Sequence, residues 1–592
     1  MKLYQLEKSN YDKSPVVCVP EQYSSDCYAG WEHITDELKK RLYRIDKMSR
    51  ILVVECYQGV LDEELTTRLQ QSFPEALFIC SSQGMLPEKE LNKRLKDDIT
   101  DDEIFGFMTR LNMDCYFDER KVLALRSQIR SAKESVVIIY GTGAAYIQPV
   151  YDLLVYADMA RWEIQMRFRK NMVSNIGVDN KEERASLQYK RGFFVDWRIC
   201  DRFKKKLMSH WDYVLDTNIA GTPKMATGEA IRAGLEQAVS QPFRVVPFFD
   251  PGPWGGQWMK EVCDLDKETP NFAWCFDCVP EENSLYLEFK EMRMEIPSID
   301  LVFAYPRRLL GEPVHGRFGD EFPIRFDFLD TMEGGNLSLQ VHPLTEYIQE
   351  KFGMHYTQDE SYYFLDAADD AVVYLGLKER ADPDEMIEKL QEAQQTGVFD
   401  AEKYIGIYPV KKHDHVLIPA GTIHCSGKNG MVLEISATPY IFTFKLWDWG
   451  RLGLDGRPRP INIAHGKKVI QWERTESWVK DQILNKIIPV DSGEGWQEEH
   501  TGLHEREFIE TRRHWFTKPI LHHTNGSVNV LNLVEGREAI VESPSGAFQP
   551  FVVHYAETFI VPEAVKEYTI RPYGESEGHQ CATIKASVKH HV

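Results

Sequence analysis

Leu339-Gln340-Val341-His342-Pro343, then Glu360, then Ile418-Pro419-Ala420-Gly421-Thr422-Ile423-His424 form the part of the chain whose reading decides its fold. Side chains two apart on a β-strand point to one face, so Gln340 and His342 can reach a single point from one strand. Glu360 opens the next hydrophobic stretch. Pro419-Ala420-Gly421 is a turn that delivers His424 onto a new strand, Met431-Val432-Leu433-Glu434-Ile435. One His in an apolar strand is more often a hydrogen-bonded core residue than a ligand. Here an amide, two imidazoles and a carboxylate arrive in order with the strand and turn signals that would converge them. Gln340, His342, Glu360 and His424 are therefore read as ligands of one metal ion. The donor set suits Zn2+, with manganese, iron or cobalt as alternatives. His413 and His415 read as ordinary strand residues.

Outward from this site, strands dominate from Phe243 onward. Short β segments separated by turn residues predict antiparallel, mainly-β jelly-roll barrels. A helical insertion interrupts them, with Asp382 as N-cap and Pro383 as the first helical residue. Ser527 to Val592 carries a second barrel pattern, in which Val528-Asn529-Val530-Leu531-Asn532-Leu533 alternates. Glu557-Thr558-Phe559-Ile560-Val561-Pro562 echoes the Ile-Pro segment of the metal site, but no His follows at ligand spacing. This second barrel is expected to be metal-free, and the terminal His590-His591 is not read as a site.

Residues quoted above, taken together, resemble the double-cupin type I mannose-6-phosphate isomerase family. Pro253-Trp254-Gly255-Gly256 resembles the family's Trp-Gly-Gly signature. Gly319-Asp320-Glu321-Phe322-Pro323 leads to Phe328-Leu329-Asp330 in the family's order. Asp359-Glu360-Ser361-Tyr362-Tyr363-Phe364-Leu365-Asp366 is similar to its Glu-bearing strand, and Trp447-Asp448-Trp449-Gly450-Arg451 to its Tyr-Asp-aromatic-x-Arg segment. The likeness runs from about Phe243 to the C-terminus. It implies a zinc-dependent aldose–ketose isomerase acting on a sugar phosphate, converting mannose 6-phosphate to fructose 6-phosphate through an enediol. It also implies catalytic roles for Glu434, Lys445 and Arg451. Two positions depart from the family: Gln358 stands where a Lys is usual, and Lys445 where an Arg is usual. Gln cannot serve as a base or a cation, and Lys lacks the planar fork of Arg. A non-catalytic or altered-specificity sugar-binding protein is thus the competing expectation.

The part before Gln241 alternates helices (Trp31 to Tyr43, Glu63 to Gln71) with short apolar runs: Ile51 to Cys56, Ala76 to Cys80, Ser135 to Tyr140. That pattern predicts a parallel α/β sheet. The last run leads into Gly141-Thr142-Gly143-Ala144-Ala145 and a helix, where a phosphate loop would sit. The full G-x-x-x-x-G-K-[ST] pattern is absent. Asp158, Arg161, Arg167 and Arg169 resemble the Asp and lid arginines of P-loop nucleoside kinases, so a degenerate kinase-like domain is expected, with a nucleotide as a secondary candidate ligand. The domains are accordingly read as 1–240, 241–470 and 471–592. A bifunctional kinase–isomerase is set aside because the phosphate-loop Lys is missing.

Composition bounds the partners. With 70 Lys+Arg against 91 Asp+Glu, the net charge is −21, which argues against nucleic acid and anionic membranes. An anionic substrate must then meet a local basic patch, for which Arg307, Arg308, Lys445, Arg451, Arg457 and Arg459 are candidates. No run approaches the ~20 apolar residues of a membrane helix. Met1-Lys2-Leu3-Tyr4-Gln5-Leu6-Glu7-Lys8 lacks a signal-peptide core, so a cytoplasmic protein is expected. The 11 cysteines are odd in number and scattered, as in a reducing compartment. Cys275 and Cys278 form a lone Cys-x-x-Cys, better read as buried strand thiols than as a zinc ribbon. Cys425 is expected to be a pocket-wall residue.

Overall fold

Val, Ile and Leu runs that are buried on both faces can form only the interior of a covered parallel sheet, and the N-terminal runs do so. The computed structural model describes residues 9–437, 442–452, 459, 461–502, 504–505 and 507–589. The stretch Met1 to Lys8, Arg457 and His590-His591 lie outside the described residues. In space the parallel strands run Leu77–Cys80, Val136–Gly141, Arg50–Cys56, Leu153–Asp158, Tyr213–Asp216. Lys224–Thr227 and Cys27–Ala29 extend the sheet antiparallel at one edge. The first parallel strand in sequence is thus central, and the chain works to one side of it before crossing to the other.

The predicted phosphate loop follows its strand, but its amides are already taken. Buried Glu55 accepts the Gly143 N–H at 2.7 Å and the Ala145 N–H at 2.8 Å, and the helix beyond is only Ala144–Ile147. An anion entering this loop would have to displace an internal carboxylate. A crevice of about 690 Å3 that borders this loop at Thr142 is lined by Asp62, Glu63, Glu64, Glu88 and Asp179 against one Lys181, a lining that repels phosphate. The expected lid arginines are committed to internal partners. Arg161 pairs with Asp201, Arg167 donates to the Gly59 and Thr217 carbonyls, both at 2.7 Å, and Arg169 holds Asp250 at 2.8 Å.

Glu55 also makes a pH prediction. Burial pushes its carboxyl up to about 8, the two amide hydrogen bonds opposing the rise. A glutamate in the unfolded chain titrates near ~4.3. Between those values the folded state holds a proton that the unfolded state has released, so this group's contribution to stability falls as pH rises. The slope is at most about 1.4 kcal/mol per pH unit. Glu55→Gln is expected to flatten that fall. Isothermal denaturation of both proteins at pH 5.5 and 7.5 checks it, and parallel pH profiles would contradict it.

Besides a three-stranded sheet of Val16–Cys18, Ser284–Phe289 and Met292–Pro297, the β-rich remainder forms two double-sheet units. In the first, a six-stranded sheet runs His415–Ile418, Glu360–Ala367, Gly430–Ser436, Arg325–Asp330, Trp274–Cys278, Phe248–Asp250, and a five-stranded sheet runs Ile405–Pro409, Val372–Leu377, His424–Ser426, Leu339–Val341, Phe444–Trp447. In the second, six strands between Ile488 and Val588 pack on four between Ile520 and Pro572, around Phe516, Leu531, Val541 and Tyr568. The predicted insertion is the helix Pro383–Thr396, and the Asp382 side chain accepts the Glu385 N–H at its start. Cys275 and Cys278 are buried free thiols on one strand. No helix among the described residues is long and apolar enough to cross a membrane.

The N-terminal sheet and the first double-sheet unit share a charged junction. Lys204, on the helix Trp197–Leu207, reaches Asp158 at 2.7 Å and Asp300 at 2.8 Å. All three side chains are at most 1% exposed. The strand Val16–Cys18 also crosses over, pairing in parallel with Tyr286, Leu287 and Glu288.

Candidate metal centre

Leu339–Val341 lies between His424–Ser426 and Phe444–Trp447, which puts Gln340 opposite both His424 and Lys445. His342 follows immediately. Glu360 begins a strand of the other sheet, so the carboxylate meets the imidazoles across the barrel interior. His424 sits on its own short strand, not on the one containing Glu434. The chain changes sheets between them, and Glu434 faces the site from the Glu360 side. That is a correction to the sequence reading, which carried His424 directly onto the Glu434 strand.

The geometry converges tightly. His342 Nε2 is 3.1 Å from Glu360 Oε2, and His424 Nε2 is 2.9 Å from Glu360 Oε1. Gln340 Nε2 is 3.2 Å from His424 Nε2. His342, Glu360 and His424 are fully buried, and one donor atom from each lies within 4.8 Å of the others, so the trio could hold a metal ion. Their outer atoms are anchored. His342 Nδ1 lies 2.7 Å from the Phe442 carbonyl and His424 Nδ1 lies 2.9 Å from the Thr422 carbonyl. Donation to those carbonyls sets the tautomer and leaves each Nε2 lone pair facing inward. His342 Nε2 and Glu360 Oε1 are buried without a hydrogen-bond partner, an arrangement whose cost a cation would relieve. Burial opposes the charged forms of Glu360 and His342. Their mutual attraction outweighs it, holding the Glu360 carboxyl well below its usual range and raising the His342 imidazole.

Gln358 does not merely leave a gap where the family Lys would stand. Its amide donates to Glu360 Oε2 at 2.8 Å and its carbonyl accepts the Phe442 N–H at 3.0 Å. Both ends are engaged in positioning.

A cavity of about 230 Å3 adjoins the trio, lined by Gln340, Gln358, Glu434, Lys445, Arg325, Asp327 and Arg459, with Trp254, Trp274 and Phe276 on its apolar side. Burial, then the charges of Glu360 and Asp327, raise the Glu434 carboxyl well above its usual range. Burial, then Arg459, lowers the Lys445 ammonium to about 8. Of the predicted catalytic residues, Glu434 and Lys445 line the cavity. Arg451 does not: it holds Asp448 at 2.8 Å and the Asn336 carbonyl, and Arg459 reaches the other oxygen of Asp448 at 2.8 Å from the cavity side. Arg307 and Arg308 pair with Glu312 and Glu236 at the surface. Cys425 is buried but does not line the cavity, against expectation, because it follows His424 on one strand and successive side chains take opposite faces.

Arg325 and Asp327, paired at 2.6 Å, were missed as site residues. Their signal was present, since two opposite charges at i, i+2 in an apolar strand face one side together, by the reasoning that found Gln340 and His342. The Trp-Gly-Gly signature has a steric role. A Cβ on Gly256 would lie 2.1 Å from Asp330 Oδ1, while Asp330 accepts the N–H groups of Met259 and Met332 at 2.8 and 2.9 Å. This close approach seats Trp254 against Trp274, ring centroids 4.7 Å apart, on the cavity wall.

His413 and His415 bind no shared point with the trio. His413 bridges Tyr363 and Glu535, and His415 meets Ser361 at 2.8 Å.

Comparison with known proteins adds four findings. Residues 30–240 match a domain of unknown function, DUF8485. The mannose-6-phosphate isomerase of Streptococcus mutans is 26% identical over 245 residues, 40% of this chain and 72% of that protein. ManA, the enzyme of the same name from Bacillus subtilis, is 24% identical over 238 residues, 39% of this chain and 69% of that one. The crystal structure of a Bacillus subtilis mannose 6-phosphate isomerase superposes with a TM-score of 0.48 at 19% identity, covering 60% of this chain and all of that one. Over about 40% of its length, then, the chain is homologous to the mannose-6-phosphate isomerases.

Proposed function

We propose that this protein is a zinc-dependent aldose–ketose isomerase acting on a sugar phosphate, with mannose 6-phosphate and fructose 6-phosphate as its substrate pair. The observation that carries the reading is the inward convergence of His342 Nε2, His424 Nε2 and Glu360 Oε1 beside a cavity of sugar size. Gln340, His342, Glu360 and His424 are the proposed ligands. When bound, a divalent ion there supplies Lewis-acid polarisation of sugar oxygens, which lowers the cost of charge developing toward an enediol.

The chain's own residues divide the remaining work. Glu434 faces the cavity with its affinity displaced toward neutrality, as a group that takes up and returns a proton between C1 and C2 needs to be. Arg459, with Lys445, offers charge-assisted hydrogen bonds to the phosphate, while Arg451, another candidate for the basic patch, is turned to Asp448. Trp254, Trp274 and Phe276 present apolar faces to the sugar's C–H surface and exclude water. The units 1–240, 241–470 and 471–592 remain our division of the chain, with the metal in the middle one.

A second reading, a metal-containing protein that binds a sugar without turning it over, is favoured by Gln358. With its donor on Glu360 and its carbonyl on Phe442, it has no proton to move. Incubating zinc-loaded protein with mannose 6-phosphate, and following fructose 6-phosphate by a coupled assay, separates the two. Turnover is expected. Calorimetric binding without turnover would select the second reading.

A further inference from the structure

We propose that the N-terminal unit is a working part of the metal centre, because its Phe105 fixes the backbone of Phe442, and Phe442 in turn orients both a proposed metal imidazole and the side chain that holds the metal carboxylate. The inference rests on the metal reading of the site, not on isomerisation.

Phe442 is the residue on which two supports of the trio meet. Its carbonyl stands 2.7 Å from His342 Nδ1, and its N–H donates to Gln358 at 3.0 Å. Gln358 passes the constraint on to Glu360 Oε2 at 2.8 Å. A shift of this one peptide would therefore turn an imidazole and release a carboxylate together. Groups that orient metal ligands in this way are about as consequential as the ligands' own second contacts anywhere.

Phe442 packs on Phe352 of its own unit at 5.3 Å, and two further rings reach it from more than 240 residues away in sequence. Phe105 is 1% exposed and lies parallel to Phe442 at 5.7 Å between ring centroids. Phe194, from the same N-terminal unit, meets Phe442 edge-on at 6.2 Å. Phe105 also contacts Phe352 and Phe444, at 5.0 and 5.3 Å, so it fills the centre of an aromatic cluster in the metal-bearing unit.

The loop presenting Phe105 is itself rigidly built. Asp102 accepts the N–H groups of Ile104 and Phe105 at 2.7 and 2.8 Å, and the Thr100 hydroxyl donates to the Phe105 carbonyl at 2.6 Å. The other oxygen of Asp102 reaches across the junction to His465 Nε2 at 3.0 Å. Gly106 follows where a Cβ would lie 2.7 Å from the Asp98 carbonyl, so the loop passes its neighbours closely. An adhesive contact alone would not need an insertion aimed at the one peptide that serves both His342 and Gln358.

The test uses the full chain and zinc alone as the probe, with affinity read by competition with a chromophoric chelator. Phe105→Ala is expected to weaken zinc binding by about 10–100-fold and to alter the visible spectrum of the cobalt(II)-loaded protein, which reports ligand geometry. Phe105→Leu keeps buried bulk and is expected to weaken zinc binding less, which keeps the test decisive should the alanine variant fold poorly. The junction control is Lys204→Met combined with Asp158→Asn, a site whose cation meets Asp158, Asp300 and Tyr57, and it is expected to leave zinc affinity within about twofold. Phe105 variants with wild-type affinity and cobalt spectrum would overturn the coupling, as would a junction control that loses zinc equally. Wild-type protein that takes up no zinc would instead overturn the metal reading beneath it.

Discussion

Glu360→Ala is expected to abolish stoichiometric zinc binding and to lower isomerase turnover by on the order of 10²–10³ in kcat. Glu360 is the one anionic donor in the trio, and it touches both imidazoles, at 3.1 and 2.9 Å. Its removal leaves two neutral nitrogens and an amide, a donor set without charge to offset a divalent ion's desolvation. The substitution also strips Gln358 of its closer acceptor, leaving Glu434 Oε1 at 3.5 Å. Elemental analysis of the purified variant, beside the coupled assay, is the check. Full zinc content would sink the ligand assignment, whatever happened to activity. Glu360→Gln, which preserves shape, separates loss of charge from loss of packing.

The second large effect is on stability. Lys204→Met is expected to destabilise the fold by about 3–5 kcal/mol. Lys204, Asp158 and Asp300 are buried together, and burial followed by the neighbouring Asp158 raises the Asp300 carboxyl well above its usual range. One cation thus serves two buried carboxyl groups, with Asp300 held toward its neutral form. Lys204 also stands 4.7 Å above the Tyr57 ring. Removing it leaves Asp158 buried without compensation. Adding Asp158→Asn to Lys204→Met is expected to recover much of the loss, because the two effects share one interaction. Denaturant titration of the single and double variants measures both. A single variant within about 1 kcal/mol of wild type would show the charge to be solvated by other means.

Much of the candidate site could be read from local pattern. Gln340 and His342 two apart, a turn before His424 and a carboxylate opening an apolar strand are statements about neighbours in sequence, and strand periodicity carries them directly into space. The same period-2 reasoning covers Arg325 and Asp327, whose charges in an apolar strand were legible but unused. The N-terminal parallel sheet was likewise legible, since strands buried on both faces announce themselves as continuous apolar runs. The loop at Gly141–Ala145 follows its strand as expected, and Glu55 accepts its amides. Its glycines say that amides are available, but they do not say that Glu55, 88 residues before Gly143, already uses them.

By itself, then, the sequence determined the donor set, the strand character that aligns it and the absence of a lysine in the phosphate loop, because each depends on residues a few positions apart. Only the tertiary structure decided that Arg459 rather than Arg451 faces the cavity, that Gln358 braces Glu360, and that Phe105 of the N-terminal unit supports Phe442. The physical reason is that packing and hydrogen bonding select partners by distance in space, and chain segments hundreds of residues apart meet at positions that no local periodicity encodes.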